Sequence, residues 1–249
     1  MPNAFFIDAS RCTACRGCQV ACKEWHGLPA VNTKQRGSHQ NPPDLNPFNY
    51  KVVRFHEHLQ GNDRERVVWN FFPDQCRHCL EAPCKYIADD YLEGAIVQDH
   101  GTGAIIYTDL TKQLSQSVFE EIRDSCPYDV PRRNTATGAI VKCDMCHGRV
   151  RNGLQPMCVA TCPTGTMNFG DREEMLKLAH ERLDGVKKEF PAAQLVDEDS
   201  VNVIYLITDE PQYYHDYVVA DARPVPGPMT RKEFFAKLAA PLGAMKSKA

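Results

Sequence analysis

The sequence predicts an α+β fold in which tandem cysteine-bearing units are joined by short strands, hairpins and a few helices. Its twelve cysteines are gathered into tight runs over 12–22, 76–84 and 143–162, with Cys126 standing alone. Both end runs share a theme of cysteine loop, short strand and turn. Between them, pairs of β-branched and aromatic segments flank turn residues, which is the signature of hairpins.

The elements follow in chain order. Ala4–Ala9 reads as a short strand feeding the first cysteine run, and residues 26–50, rich in Asn, Pro and Gly, read as irregular loop. Tyr50–Glu57 and Arg66–Phe72 flank Gln60-Gly61-Asn62-Asp63 as a first hairpin, and Ala95–Val97 and Ala104–Tyr107 flank 99–103 as a second. Leu114, Val118 and Ile122 repeat at helical spacing before Cys126, and Asp171 is placed to cap a helix over Asp171–Phe190. Val201–Ile207 is short and β-branched, so it reads as a buried strand. Thr230-Arg-Lys-Glu233 followed by Phe234, Phe235 and Leu238 is a capping box opening an amphipathic C-terminal helix.

Bulk properties exclude several classes. With a net charge of −3 and no Lys/Arg block, the chain is not expected to bind nucleic acid. No apolar run approaches the roughly 18–20 residues of a membrane helix, so no transmembrane segment is expected. The N-terminus lacks the basic and apolar regions of a signal peptide, and removing ~15–30 residues there would destroy Cys12 and Cys15. The expectation is a chain that is either cytoplasmic or exported on a partner's signal.

The spacing carries the chemistry. Cys12-x2-Cys15-x2-Cys18-x3-Cys22 is the run with which bacterial ferredoxins hold [4Fe–4S] clusters, each cluster taking four thiolates. Three cysteines at x2 spacing wrap one tight loop, and in two-cluster ferredoxins the fourth ligates the other cluster. That rule assigns Cys12, Cys15, Cys18 and Cys162 to cluster one, and Cys22, Cys143, Cys146 and Cys158 to cluster two. Cys76, Cys79 and Cys84 then need a fourth ligand, and Cys126, followed by Pro127 as Cys162 is followed by Pro163, is the cysteine left. Twelve thiolates thus match three [4Fe–4S] clusters. The expected organisation is a ferredoxin-like unit of residues 1–30 plus 135–175 with two clusters, and an inserted ferredoxin-like unit of residues 45–134 with one. Residues 176–249 form a helical and strand extension that packs on the core or on a partner.

Competing explanations are weaker. Cys-x2-Cys pairs also build zinc sites, but the first run packs four thiolates more tightly than the two-plus-two zinc pattern. Disulfides fit poorly with cysteines two residues apart in repeated runs. His78 and His147 sit beside cluster cysteines and read as surface or supporting residues, not ligands. Trp25, Tyr86 and Tyr128 could line an electron path, and ordinary packing explains them equally well. The acidic stretches 89–93 and 197–199 read as solvated faces, with docking of a basic electron carrier as the alternative. No phosphate-cradling Gly-rich loop, nucleophile elbow or His-Glu-x-x-His occurs, so no catalytic residues are expected.

These runs, with Cys126-Pro127 and Cys162-Pro163, resemble the iron–sulfur (beta) subunits of the molybdenum/tungsten-bis(pterin) oxidoreductases, the dimethyl-sulfoxide-reductase superfamily, over roughly residues 4–170. Most of that family carries four runs and four clusters. Here Ala88 stands where the second run's fourth cysteine would be, and the third run keeps only Cys126. The reduced pattern is similar to the small subunit of soluble formate dehydrogenases of sulfate-reducing bacteria. So are the stretches Arg11–His26, Phe72–Cys79, Cys126–Arg132 and Lys142–Cys146.

The resemblance implies a heterodimer with a catalytic large subunit holding tungsten or molybdenum on two pterin guanine dinucleotides and one further [4Fe–4S] cluster. That partner would interconvert formate and carbon dioxide, and this chain would pass the electrons to a multihaem cytochrome c or similar carrier. It also implies that the cluster on Cys12, Cys15, Cys18 and Cys162 lies nearest the partner. Periplasmic localisation would follow from co-export on the partner's twin-arginine signal. The alternative is the beta subunit of a thiosulfate, polysulfide, sulfoxide, arsenate or nitrate reductase.

Overall fold

A computed structural model describes residues 2–59 and 67–220. Strand β1, Asn3–Asp8, carries Phe5, Phe6 and Ile7 into the first cysteine loop, and helix α1, Gly17–Trp25, follows. Residues 26–51 contain no helix and no ladder strand, as their Asn, Pro and Gly content predicts. Strands β2, Val52–Leu59, and β3, Val67–Asp74, pair antiparallel from Val52 opposite Asp74 to Leu59 opposite Val67. The turn at Gln60–Asp63 and the capping box at Thr230–Glu233 lie outside the described residues.

Helix α2, Pro83–Tyr91, opens on a proline, whose missing N–H is no loss in a first turn. Strands β4, Ile96–Asp99, and β5, Ala104–Tyr107, make the second hairpin. Helix α3, Gln116–Asp124, is capped by Ser115, whose Oγ accepts the Val118 N–H at 3.2 Å. A two-residue ladder, β6 (Arg132–Arg133) with β7 (Ile140–Val141), leads to the one-turn helices α4, His147–Val150, and α5, Met157–Ala160. Strand β8, Met167–Asp171, then feeds helix α6, Arg172–Val186, which Asp171 caps by accepting the Glu173 N–H at 2.9 Å. The helix stops at Val186, short of Phe190: the Lys188 and Glu189 N–H groups turn to carbonyls three residues back, on Gly185 and Val186, and Pro191 follows. Strands β9, Gln194–Val196, and β10, Val203–Ile207, complete the described strands, and a 3-10 turn at Pro211–Tyr213 follows.

The principal sheet has the order β8-β1-β10-β9. Strand β1 runs parallel to β10, with Phe5 opposite Val203 and Asp8 opposite Leu206, and antiparallel to β8. Period-two alternation divides its side chains between two cores. Phe5, Ile7, Val203, Tyr205 and Ile207 face a core that also holds Cys18, Met145 and Cys158. Phe6, Ile204 and Leu206 face the opposite way, onto Ala179 and Val186 of α6. Each such side chain contributes about 1.5–3 kcal/mol on burial. The sheet therefore forms one wall of the cysteine-rich core, and α6 seals its back. Strand β10, from the segment 176–249, lies between β1 and β9.

The second hairpin joins the sheet through a close backbone approach. Gly103 has φ +78°, and a Cβ there would sit 2.9 Å from the Asn3 carbonyl oxygen and 3.0 Å from Asn202 Nδ2. The Asn3 N–H donates to the Thr102 carbonyl at 3.1 Å, and Asn202 Nδ2 donates to the Gly103 carbonyl at 3.2 Å, so neither neighbour is free to move away. Gly103→Ala should therefore destabilise the protein by about 2–4 kcal/mol, combining the left-handed backbone penalty with overpacking. Gly153, at φ +70° with open space around it, provides the comparison. Its alanine variant should lose only the conformational part, about 1–2 kcal/mol. Thermal melts of the two variants showing equal losses would contradict the close-approach argument.

Candidate metal centres

Apart from the Cys15–Cys18 loop, which is left-handed one residue earlier at Arg16 (φ 60°), the Cys-x2-Cys loops turn in the same way. The residue just before the second cysteine is left-handed without being glycine: Ala14 at φ 52°, His78 at φ 47° and Met145 at φ 62°. Such conformations are unfavourable for L-residues and concentrate where a fold has a use for them. Here they turn backbone N–H groups toward sulfur. The His78 N–H donates to Cys76 Sγ at 3.3 Å, and the Met145 N–H donates to Cys143 Sγ at 3.4 Å. Successive N–H groups in this geometry make a concave cradle of the kind that holds anions and iron–sulfur groups.

Tertiary packing gathers the twelve thiols into three groups. Cys12, Cys15, Cys18 and Cys162 line one pocket with Val53, Pro73 and Met167. Cys76, Cys79, Cys84 and Cys126 line another with Ala82, Ile105, Val130 and Lys142. Four thiols lining one pocket are the donor set that an iron–sulfur cube takes. Cys22, Cys143, Cys146 and Cys158 form the remaining group, where Cys22 feels the charge of the other three.

Helix α1, which carries Cys18 and Cys22, packs on α5, which carries Cys158 and is followed two residues past its end by Cys162. Cys18 faces Cys162 while Cys22 faces Cys158, so each pair gives one thiol to each of two groups. The groups are consecutive in space. Cys18 of the first lies within electrostatic reach of Cys158 in the second, and Cys143 of the second within reach of Cys76 in the third. The Cys22 group is thus the middle one.

The electrostatics fit a cationic guest. Burial pushes the Cys12 thiol up to about 11 and those of Cys126, Cys146 and Cys158 up to about 12, and neighbouring thiols add to it. Cys18, Cys22, Cys79, Cys84 and Cys143 are raised for the same two reasons. Burial would raise Cys162 as well, but N–H donors from Met167, Thr164 and Thr166 and the Thr164 hydroxyl bring it down. Four crowded thiols in a low-dielectric core ionise together only if positive charge sits among them, and metal coordination supplies it while displacing the protons. All twelve cysteines are free of disulfides, so every sulfur is available.

A frame of alternating charges, which the cysteine spacing did not reveal, holds the third group. Arg77 Nη1 donates to Asp74 Oδ1 at 2.8 Å, and Arg54 Nε donates to Asp74 Oδ2 at 2.8 Å. Arg54 continues to Asp44 at 2.7 Å, Asp44 to Arg132 at 2.6 Å, Arg132 to Asp129 at 3.1 Å, and Asp129 to Arg123 at 2.6 Å. The frame ties the 76–84 run to the segment bearing Cys126. Arg77 also stacks over the rings of Phe72, Tyr128 and Tyr205, 4.7–5.0 Å from each. The sequence signal was present in Asp74 and Arg77 flanking Cys76, and in Asp129 and Arg132 following Cys126.

The histidines and aromatics take ordinary places. Burial and the Lys142 charge hold His78 well below its usual pKa, and its Nδ1 accepts the Ile105 N–H at 3.0 Å. His147 Nε2 lies 2.7 Å from Asp99 Oδ2. His26, Asp144 and Cys146 bring nitrogen, oxygen and sulfur within 4.8 Å of one another. The Tyr128 hydroxyl donates to Asp197 Oδ2 at 2.8 Å, Trp25 is half exposed beneath Arg149, and Tyr86 is exposed against Glu81.

Sequence comparison decides the family. Residues 67–172 match a family model described as a 4Fe-4S dicluster domain. The chain is 56% identical over 217 residues to formate dehydrogenase 2 subunit beta (cytochrome c-553) of Nitratidesulfovibrio vulgaris, covering 87% of this chain and 98% of that one. The chain belongs to the iron–sulfur (beta) subunits of formate dehydrogenases. It is 51% identical over 221 residues to formate dehydrogenase subunit beta of Megalodesulfovibrio gigas, covering 88% of this chain and all of that one. With the formate dehydrogenase-O iron-sulfur subunit of Escherichia coli the identity is 35% over 219 residues, 85% of this chain and 69% of the other. Members of this family are electron-transfer subunits of an oxidoreductase and are not themselves catalytic. No helix among the described residues is long and apolar enough to cross a membrane.

Proposed function

We propose that this chain relays electrons for a formate dehydrogenase through three [4Fe–4S] clusters. Cluster one is held by Cys12, Cys15, Cys18 and Cys162, cluster two by Cys22, Cys143, Cys146 and Cys158, and cluster three by Cys76, Cys79, Cys84 and Cys126. The observation that carries this reading is the convergence of all twelve thiols into three adjacent groups of four. When bound, the clusters supply one-electron carriers by which the two electrons of formate oxidation leave the catalytic partner. That partner is a large subunit with tungsten or molybdenum on two pterin guanine dinucleotides and one further [4Fe–4S] cluster, and the two chains form a heterodimer.

The residues of this chain bind, orient and insulate. Thiolates ligate, left-handed loop residues aim N–H donors at sulfur, and Val53, Ile105, Val130 and Met167 exclude water from the cavities. The pairing of β1 with β8 and the packing of α1 on α5 support a ferredoxin-like unit of residues 1–30 with 135–175. The two hairpins with α2 and α3 support an inserted unit over 45–134. The electron acceptor is a multihaem cytochrome c or similar carrier, a reading supported by the cytochrome named for the Nitratidesulfovibrio relative. Co-export on a twin-arginine partner would place the complex in the periplasm.

The test is metal analysis together with a formate assay on the native complex. About twelve irons with matching acid-labile sulfide are expected per chain, along with formate-dependent reduction of a viologen dye by the copurified partner. Several zinc ions without sulfide would end the cluster reading. Activity on an oxyanion with none on formate would leave the clusters and overturn the substrate.

A further inference from the structure

Lys51 is 2% exposed and lies within electrostatic reach of thiols of the first and second groups. It immediately precedes β2, and Gln75 immediately follows β3, so the antiparallel register sets the two side by side at the root of the hairpin. Lys51 Nζ donates to the Pro73 carbonyl at 3.1 Å and to Gln75 Oε1 at 2.6 Å. Pro73 itself lines the cavity of the Cys12 group. Both acceptors are neutral, and among the described residues no carboxylate lies within ion-pair distance of Lys51. The neighbouring buried carboxylate, Asp74, is already held by Arg54 and Arg77.

A buried ammonium without a counter-charge is expensive unless anions lie close by. The groups within its electrostatic reach are cysteines of two different clusters, Cys12 and Cys18 of the first and Cys22, Cys143 and Cys158 of the second. Burial alone would push the Lys51 ammonium down, but Cys18, Cys158, Tyr205 and Cys143 outweigh it and the net shift is upward. The third group faces a different buried cation. Lys142 lines its cavity, with its Nζ bonded to the Ile105 and Cys143 carbonyls and lying 4.7 Å from the Tyr107 ring centroid.

We propose that Lys51 is a fixed positive charge shared by clusters one and two, raising the reduction potentials of both together and so keeping them matched for electron exchange. This rests on the cluster assignment proposed above. Uptake of one electron adds one negative charge to a cluster and its thiolates, and an adjacent cation that carries no exchangeable counter-ion stabilises that reduced state. No proton need move, because the ammonium is charged before and after.

The test is a potentiometric titration of the purified holoprotein complex with dithionite as reductant, monitored by electron paramagnetic resonance. Lys51→Met removes the charge at similar length, Lys51→Gln removes it while keeping a donor for the Pro73 carbonyl, and Lys51→Arg retains it. In the first two variants the reduction equilibrium constants of clusters one and two should fall at least tenfold, about 59 mV for a one-electron couple. Cluster three should keep its potential, and Lys51→Arg should stay near the wild type. Wild-type potentials in a Met or Gln variant with full iron would overturn the proposal. So would an equal shift of all three clusters, or failure of both charge-free variants to assemble clusters, since the lysine would then serve assembly. Absence of clusters from the wild type would instead defeat the functional reading itself.

Discussion

Cys126→Ala should remove about four irons per chain and leave about eight. Cys126 is the thiol of its cavity that comes from outside the 76–84 run, and it arrives from the far end of α3. Its own loop orients it, with the Val130 and Tyr128 N–H groups directed at its sulfur. The other two groups draw most of their walls from α1, α5 and the principal sheet, and share with the third only the small core in which Cys143 packs with Cys76 and Cys126. They should therefore assemble without it. Iron and sulfide content per chain, with the resonance signals of the remaining clusters, reads the outcome. Unchanged iron would remove Cys126 from the third site, and loss of all iron would show that the three sites assemble as one.

Replacing Asp74 by Asn should destabilise the protein by about 3–5 kcal/mol, because two guanidinium groups are left buried without their shared carboxylate. Asp74 is 0% exposed, and its partners Arg54 and Arg77 are 6% and 2% exposed. Burial alone would raise the Asp74 pKa, but Arg54 and Arg77 outweigh it and hold the carboxyl well below the usual carboxylate range. Its contribution is therefore fully present above the unfolded value of about 3.9 and is lost only in strong acid, as pH falls through the lower folded value. Across neutral pH the difference between Asp74→Asn and wild type should stay constant. The contrast is Lys177→Ala, which breaks an exposed pair with Glu181 at 4.0 Å and should change stability by less than about 1 kcal/mol. Denaturant unfolding of the iron-loaded proteins, side by side, measures both. An Asp74→Asn protein as stable as Lys177→Ala would mean that the charge frame does not brace the third site.

The two variants probe different layers of the same centre. Cys126 supplies a sulfur, whereas Asp74 holds apart and in place the loops that carry sulfur. Arg77 links these layers, since it lies between Cys76 and Cys79 in the chain, bonds Asp74, and packs against Tyr128 two residues after Cys126. A change in the frame should therefore be felt as faster iron loss from the third site before the rest of the chain unfolds.

Local chemistry was legible in the linear chain wherever neighbours in sequence decide the outcome. β-branched pairs about turn residues marked β2–β3 and β4–β5, the spacing of Leu114, Val118 and Ile122 marked α3, Asp171 sits at the start of α6, and the apolar run at Val203–Ile207 is wholly buried. Cysteine spacing likewise pointed to metal–sulfur chemistry, because a Cys-x2-Cys loop constrains its own backbone whatever surrounds it. What folding in three dimensions decided is everything that depends on residues far apart in the chain. The position of the Cys22 group between the other two comes from the packing of α1 on α5 and from Cys143 reaching Cys76. The place of β10 beside β1 brings residues about 200 positions apart into one ladder. Lys51 looks like an ordinary solvated lysine on the page, and no pattern around it signals otherwise. It is buried because hairpin register seats it against Gln75, and its significance comes from thiols drawn from both ends of the sequence. Charge acts through space, and only the folded chain specifies those distances.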